Sequence, residues 1–254
     1  MPPVLHLGKY FRYIWEERDL LVVVGDFSEV AISRRLYDER YKIAPIAREA
    51  DDQLSRLMGA AALAAVSLAD RESWGWTLTT AGSELGFFVG VEPEGMICGR
   101  VSPSDPEKTA AYVQRQKGEA PLTQSLFDPT GAEPYLAVTQ YFAQSVQTET
   151  RIVLDDRASG VLVQALPGGD FGAIEDVPDD ELMKKIQGMV DEEGFKPVGE
   201  VLIFYECRCD DEMVLNMLTS LPEAQRKAVW GDERSLSIEC PRCGRGYEVE
   251  RPLH

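Results

Sequence analysis

The residues best suited to chemistry are four cysteines near the C-terminal end of the sequence. They form two pairs, Cys207 with Cys209 and Cys240 with Cys243, and thirty residues separate the pairs. The second pair lies in CPRCG, a motif typical of zinc knuckles, in which a tight turn points backbone amides at the sulfurs. Four soft thiolates favour zinc over calcium or magnesium. We therefore predict one Zn²⁺ ion bound by these four cysteines in the reduced state. Iron in a rubredoxin-like site is the alternative.

The spacing of the first pair also permits redox chemistry. Most structural zinc ribbons use two Cys-x-x-Cys pairs, whereas a single residue separates Cys207 from Cys209. Without the metal, either pair could close a disulfide, and a ring across one residue is tight and easily reduced again. Oxidation would also remove the folding free energy that the metal supplies, roughly 10 kcal/mol or more in small zinc peptides. The spacing therefore suits a reversible switch, although a purely structural zinc ribbon explains it as well.

Composition excludes several classes of partner. The 254 residues carry 43 acidic and 26 basic side chains, a formal net charge of −17. Such a surface repels phosphate backbones, so we expect no nucleic-acid partner. The longest apolar run, residues 57–69, has 13 residues, fewer than the roughly 18 that a membrane span needs. Because the first residues also lack the apolar core of a signal peptide, we expect no membrane association and a cytoplasmic location, where thiols stay reduced.

Catalytic motifs are missing from the sequence. The two histidines, His6 and His254, lie at opposite ends of the chain, which argues against a Ser-His-Asp or Cys-His arrangement. No phosphate-binding loop, dinucleotide fingerprint or nucleophile elbow occurs. No Cys-x-x-Cys follows a βαβ start, so a thioredoxin-type oxidoreductase is disfavoured. We therefore expect that the protein is not an enzyme.

The pattern of apolar residues predicts an α+β fold in three parts. Residues 1–172 form an N-terminal α+β domain with a β-sheet and packed helices, residues 173–206 a helical acidic linker, and residues 207–254 a small zinc-binding redox-switch domain. Cys98 is predicted to be a small buried residue, and residues 102–134 receive no assignment. In the first domain we expect strands at 19–25, 151–154 and 160–166, a β-meander at 73–101, and helices at 53–68 and 135–146.

The predicted linker helix is strongly charged. Residues 175–193 hold eight acids and two lysines around Leu182, Ile186 and Val190, which are spaced i, i+4, i+8. This single narrow apolar stripe leaves the helix marginally stable unless it docks on a neighbour. Residues 170–254 together carry 20 acids and 10 bases, a net charge of −10.

Taken over nearly its full length, the sequence resembles the Hsp33 family of redox-regulated chaperones. The resemblance is carried by the cysteine spacing after an α+β domain and an acidic linker, and by shorter stretches that agree: 12–16, 57–59, 141–145, 166–168 and 213–223. The sequence departs from the family at Ser145, Val146 and Gln147, where Ser-Glu-Gln is usual, and in a shorter segment at 102–134.

This resemblance implies an ATP-independent holdase. In that scheme Cys207, Cys209, Cys240 and Cys243 bind zinc in the inactive, reduced state. Oxidation pairs Cys207 with Cys209 and Cys240 with Cys243, the metal is released, and the linker and zinc domain lose structure. The exposed apolar surface then binds unfolded or partly folded client proteins, and the active form is a homodimer. The alternative is a divergent paralogue with a purely structural zinc ribbon, acting as a constitutive binding or adaptor module.

Overall fold

A ten-stranded sheet, a two-stranded sheet and seven α-helices make up the described part of the computed structural model. The structure describes residues 6–68, 72–79, 82–107, 109–131, 133–189 and 194–251. The α+β fold class is therefore confirmed. The strands are β1 Gly8–Trp15, β2 Leu20–Gly25, β3 Ser73–Thr79, β4 Leu85–Val91, β5 Met96–Pro103, β6 Ala110–Gln116, β7 Thr123–Leu126, β8 Thr150–Leu154, β9 Gly160–Ala165, β10 Phe195–Tyr205, β11 Ser235–Glu239 and β12 Gly246–Glu250. The helices are α1 Ser28–Tyr41, α2 Arg48–Ser67, α3 Leu136–Tyr141, α4 Gly172–Glu175, α5 Asp179–Met189, α6 Asp211–Thr219 and α7 Glu223–Trp230, and a π-helical turn, Phe142–Val146, follows α3.

The large sheet consists of two antiparallel halves that β10 joins. Its strand order is β7-β6-β3-β4-β5-β10-β1-β2-β9-β8, and β10 pairs parallel with β5 and antiparallel with β1. The predicted meander is confirmed as β3, β4 and β5. The unassigned segment 102–134 supplies β6 and β7, which extend the same half of the sheet to its edge.

Helix α2 covers one face of the sheet. It begins with acidic residues in its first turn, which the helix dipole favours. Four of its alanines, Ala60, Ala61, Ala62 and Ala64, are fully buried, and small side chains let the sheet approach closely. At Gly59 the approach is closest, because a Cβ there would lie 2.3 Å from the Ala158 carbonyl oxygen in the turn between β8 and β9. The predicted alanine-rich core helix is therefore confirmed.

Helix α5 covers the opposite face of the β1-β2-β9-β8 half. Leu182 and Ile186 of α5 are fully buried there, packed with Trp15, Val22 and Val163. Successive residues of a strand point to opposite faces of the sheet. The side chains on one face therefore form a core with α2, and those on the other face form a second core with α5. The linker helix predicted for 175–193 is confirmed over Asp179–Met189. The third residue of its stripe, Val190, lies outside the described residues.

The second half of the predicted helical linker is not a helix. Residues 195–205 form the eleven-residue strand β10 in the middle of the large sheet. The prediction was wrong here because it rested on the acidic charge of the segment. The run VLIFY at 201–205 is β-branched and aromatic, which favours a strand. The boundaries 1–172, 173–206 and 207–254 themselves stay predictions. Among the described residues, no helix has the length and apolar content needed to cross a membrane.

Candidate metal centre

The four predicted cysteines converge on one buried point. The Sγ atoms of Cys207, Cys209, Cys240 and Cys243 all lie within 4.8 Å of one another. Two segments supply them. Cys207 and Cys209 follow the end of β10, and Cys240 and Cys243 lie in the turn between β11 and β12. The structure thus brings together every site residue that the spacing predicted.

The turn at 240–244 has the geometry that points backbone groups at sulfur. The Gly244 N–H donates to the Cys240 carbonyl at 2.9 Å, and the Cys240 N–H donates to the Arg245 carbonyl at 2.8 Å. Gly244 has φ of 85°, a left-handed conformation that glycine adopts without strain. The Arg242 N–H approaches Cys240 Sγ at 3.4 Å. A backbone donor is therefore in place to stabilise negative charge on one sulfur.

The electrostatics of the cluster favour a bound cation. Hydrogen bonds from Cys207, Cys209 and Cys243 lower the pKa of the Cys240 thiol, while hydrogen bonds to Cys209, Cys240 and Cys243 raise the pKa of Cys207. Each sulfur that ionises thus depends on its neighbours keeping their protons. Four thiolates in this small volume require a compensating positive charge, and a set of four sulfurs suits Zn²⁺.

Charged and polar groups hold the cysteine-bearing turn against the large sheet. Arg242 Nη2 lies 2.5 Å from Glu92 Oε1, and the Glu92 side chain is 10% exposed. Arg100 on β5 donates from Nη1 to the Cys240 carbonyl at 2.8 Å. These contacts join residues about 140 to 150 positions apart. The cysteine-bearing turn is therefore anchored on β5 and on the turn between β4 and β5.

An aromatic group of α1 also reaches the cluster. The Tyr37 hydroxyl lies 3.4 Å from Cys243 Sγ. Burial and the hydrogen bond to Cys243 raise the pKa of Tyr37 well above its ordinary value. Beside it, the Arg245 guanidinium lies 4.1 Å from the centre of the Tyr41 ring. Helix α1 thus contacts the cysteine-bearing turn through two tyrosines.

A cavity of about 620 Å³ adjoins this contact. It lies between α1, the loop that follows α1, and the turn at 240–244, and Cys243 is the member of the cluster that lines it. A small molecule therefore has room to approach the site on the side of Cys243.

The fifth cysteine is not a member of the cluster. Cys98 on β5 is 1% exposed and belongs to the same hydrophobic core, as predicted for a small buried residue. Sequence reasoning missed Tyr37, Glu92 and Arg100 at the site. No local signal could have found them, because each lies over 100 residues from the cysteine-bearing segments that it contacts.

Comparison with known proteins bears directly on these observations. The family model described as "Hsp33 protein" matches residues 28–250. The 33 kDa chaperonin of Streptococcus pneumoniae (strain JJA) is 25% identical over 134 residues, which cover 43% of this chain and 46% of that protein. The 33 kDa chaperonin of Streptococcus sanguinis (strain SK36) is 25% identical over 135 residues, covering 44% and 47%. The matched part thus spans about half the length of these relatives.

The fold has a counterpart among solved structures. The crystal structure of the 33 kDa chaperonin from Thermotoga maritima superposes with a TM-score of 0.69 and 18% sequence identity, covering 96% of this chain and 95% of that one. The likeness covers nearly the whole chain, and the family model covers most of it. This chain is therefore a member of the Hsp33 family.

Proposed function

We propose that this chain is a redox-regulated, ATP-independent holdase chaperone that is inactive when reduced and zinc-bound. The observation that carries the proposal is the buried cluster of four thiols, one pair of which has Cys-x-Cys spacing. Cys207, Cys209, Cys240 and Cys243 would hold one Zn²⁺. The ion would supply the charge that keeps four sulfurs ionised and the free energy that orders the turn between β11 and β12.

The cysteines would act as the oxidant sensor. In each pair, Cys207 with Cys209 and Cys240 with Cys243, two thiolates would give up two electrons and form one S–S bond, while a peroxide is reduced to water. A disulfide sulfur is a poor ligand, so the oxidised site would no longer hold the ion. The cavity beside Cys243 supports access for an oxidant as small as peroxide.

The linker helix would transmit the change to a client surface. Beneath Leu182 and Ile186 of α5 lie apolar side chains on one sheet face, namely Trp15, Leu20, Val22, Val153, Val161 and Val163. The exposed side of α5 is highly charged, so the helix depends on this apolar contact and on the ion pair of Asp179 with Arg151 on β8. Unfolding of α5 would uncover a contiguous apolar face. Faces of this kind bind proteins that expose their own cores.

The proposal is tested on the reduced, zinc-loaded protein. Peroxide or hypochlorous acid is added at mildly elevated temperature, zinc release is followed with a chelating dye, and light scattering reports aggregation of an unfolding client. We expect zinc release and suppression of aggregation to rise together, and a reductant to reverse both. Metal release without suppression would refute the chaperone proposal. Metal analysis of the purified protein separates zinc from iron.

Substitution of a ligand tests the site assignment. We expect Cys207→Ser to abolish tight zinc binding and leave the large sheet folded, whereas Cys98→Ser keeps the full zinc content because Cys98 lies outside the cluster. Unchanged zinc stoichiometry in Cys207→Ser would refute the four-cysteine site.

A constitutive binding module with a structural zinc ribbon is the second candidate. The close packing of the cysteine-bearing turn on Glu92 and Arg100 favours it, because such contacts would hold the turn in place in every state. Equal suppression of aggregation by the reduced and oxidised protein would select this candidate. We further propose a cytoplasmic location and a homodimer in the oxidised state, the latter tested by light scattering coupled to size-exclusion chromatography.

A further inference from the structure

The hydroxyl of Tyr37 is the group from α1 that touches a cysteine of the cluster. Tyr37 is 4% exposed, and its oxygen lies 3.4 Å from Cys243 Sγ. Its ring is held between two other aromatic rings, with centroids 4.6 Å away at Tyr41 and 5.1 Å away at Tyr205. Helix α1 is itself fixed to β10, because Ser33 Oγ lies 3.3 Å from the backbone oxygen of Tyr205. The hydroxyl therefore has a fixed position.

The direction of this hydrogen bond follows from the chemistry of the sulfur. A metal-bound cysteine is a thiolate and carries no hydrogen, whereas a phenol keeps its proton at neutral pH. The Tyr37 O–H must therefore donate to Cys243 Sγ. Hydrogen bonds to charged groups are the strong class, and donation to a thiolate withdraws electron density from the sulfur.

We propose that Tyr37 is a positioning residue of the redox switch: its hydroxyl donates to the Cys243 thiolate, lowers the nucleophilicity of that sulfur, and so sets the oxidant threshold of the site. This inference rests on the proposed function and names a regulator of the same cysteines. Cys243 is itself 3% exposed, but it is the cluster member that lines the adjoining cavity, so the restrained sulfur faces the space from which a small oxidant would approach. The first domain thereby restrains the sensor for as long as α1 and the turn stay docked.

The proposal has a consequence for the course of oxidation. Any movement of the turn away from α1 breaks the hydrogen bond and leaves Cys243 more reactive. Partial undocking of the turn would therefore accelerate oxidation of Cys243, and that oxidation would in turn complete the undocking. This coupling would make the switch steeper than four independent thiolates would be.

The matched pair Tyr37→Phe and Tyr41→Phe tests the proposal. Each variant loses one oxygen atom from neighbouring rings of the same helix. In the described part of the chain the Tyr41 hydroxyl makes no hydrogen bond to a cysteine, whereas that of Tyr37 does. Zinc release from the reduced protein is measured under excess peroxide, and alkylation at Cys243 is followed by mass spectrometry. We expect roughly three- to tenfold faster reaction in Tyr37→Phe and wild-type rates in Tyr41→Phe.

A spectroscopic readout separates this role from simple packing. In Co²⁺-loaded protein the sulfur-to-metal charge-transfer band reports electron density on the thiolates, and the ligand-field bands report the tetrahedral geometry. We expect Tyr37→Phe to shift the charge-transfer band to lower energy and leave the ligand-field bands in place. An unchanged band and rate in Tyr37→Phe, or equal acceleration in both variants, would overturn the proposal.

Two further measurements keep the outcomes distinct. If Tyr37→Phe does not bind metal, the wild-type chain is loaded with ¹¹³Cd. Coupling between the Tyr37 hydroxyl proton and the metal supports the proposal, and a resolved hydroxyl signal without coupling overturns it. If oxidised wild-type protein fails to suppress aggregation while the band shift is observed, the chaperone proposal fails and the role of Tyr37 stands.

Discussion

At the scale of single residues, Glu92 is a largely buried carboxylate with a charged partner in the cysteine-bearing turn. Its carboxylate is 10% exposed, and it accepts hydrogen bonds from Arg242 Nη2 at 2.5 Å and Ser73 Oγ at 2.9 Å. Burial opposes its ionisation, but the hydrogen bonds from Arg242 and Ser73 outweigh burial and lower the pKa of Glu92. The negative charge of Glu92 is therefore a condition for docking of the turn at 240–244.

We predict that Glu92→Gln loosens the docked turn. The substitution leaves the Arg242 guanidinium partly buried without a countercharge, which should lower the free energy of unfolding by about 2 kcal/mol. Urea denaturation of the reduced, zinc-loaded protein measures the loss. Because the folded pKa is lowered, the contribution of Glu92 in the wild type is present above about pH 4.3, the value in an unfolded chain, and is lost as pH falls through the folded value.

The exposed neighbour of this pair supplies the control. Glu94, in the same turn between β4 and β5, pairs with Arg208, and the Glu94 side chain is 60% exposed. Exposed ion pairs contribute little, so Glu94→Gln should leave the free energy of unfolding within about 0.5 kcal/mol of wild type. Equal losses in the two variants would contradict the role assigned to Glu92.

At the scale of elements, α1 contains a carboxylate, Asp38, whose negative charge at neutral pH lowers the stability of the folded protein. Burial raises the pKa of Asp38 to about 6, Arg34 opposes the rise, and the charge of Asp51 adds to it. An unfolded aspartate has a pKa of about 3.9. The folded chain therefore binds more protons than the unfolded chain between these values, and the free energy of unfolding should rise as pH falls from about 6 to about 4.

We predict that Asp38→Asn stabilises the protein at pH 7. The gain should be about 1 kcal/mol, once the pKa shift is discounted for solvent screening of this partly exposed group. The rise in stability between about pH 6 and pH 4 should disappear from the variant. Thermal melts at several pH values measure both effects. A variant less stable than wild type at pH 7 would mean that the ion pair with Arg34 dominates.

The contact between α2 and the turn that joins β8 to β9 requires a glycine, Gly59, at the point of closest approach. Alanine is usually about 1 kcal/mol better than glycine inside a helix. At Gly59, however, a Cβ would lie 2.3 Å from the Ala158 carbonyl oxygen. We therefore predict that Gly59→Ala destabilises the protein by about 1–3 kcal/mol. Gly188 in α5 faces open space, so Gly188→Ala should be neutral or stabilising in the same urea titrations.

Elements with a strong local pattern could be predicted from the sequence, and contacts between distant residues could not. The alanine run of α2, the alternation in β3 and the CPRCG turn each encode their own structure. Strand β10 was missed because the acidic charge before it outweighed its apolar end in the prediction. The docking of Tyr37 on Cys243 spans 206 positions, and nothing in the spacing of either residue encodes it.

At the scale of the whole molecule, β10 connects the two parts of the proposed switch. The chain runs from α5 through this strand to Cys207, so the linker helix and the first cysteine of the cluster lie at its opposite ends. The strand pairs on both sides, with β1 and β5, whereas α5, within the residues that the structure describes, makes no backbone pairing with the sheet and rests on it through its apolar stripe and the ion pair of Asp179 with Arg151. Loss of order should therefore spread to α5 before it reaches the sheet.

The run LLVVV at 20–24 is apolar on both faces of its strand, and α5 covers the face that α2 does not.

We predict that Ile186→Asp makes the reduced protein bind clients without an oxidant. Ile186 lies on the buried face of α5 and is fully buried, and the core that it contacts in the described structure offers no charged partner for a carboxylate, so the helix should undock. Light scattering of an unfolding client and proteolysis within residues 173–194 measure the effect, while metal analysis should still find the full zinc content. Gln187→Asp places the same charge on the exposed side of the helix and should behave as wild type. If α5 of Ile186→Asp is cleaved readily and the reduced variant still fails to suppress aggregation, the client surface does not lie beneath α5.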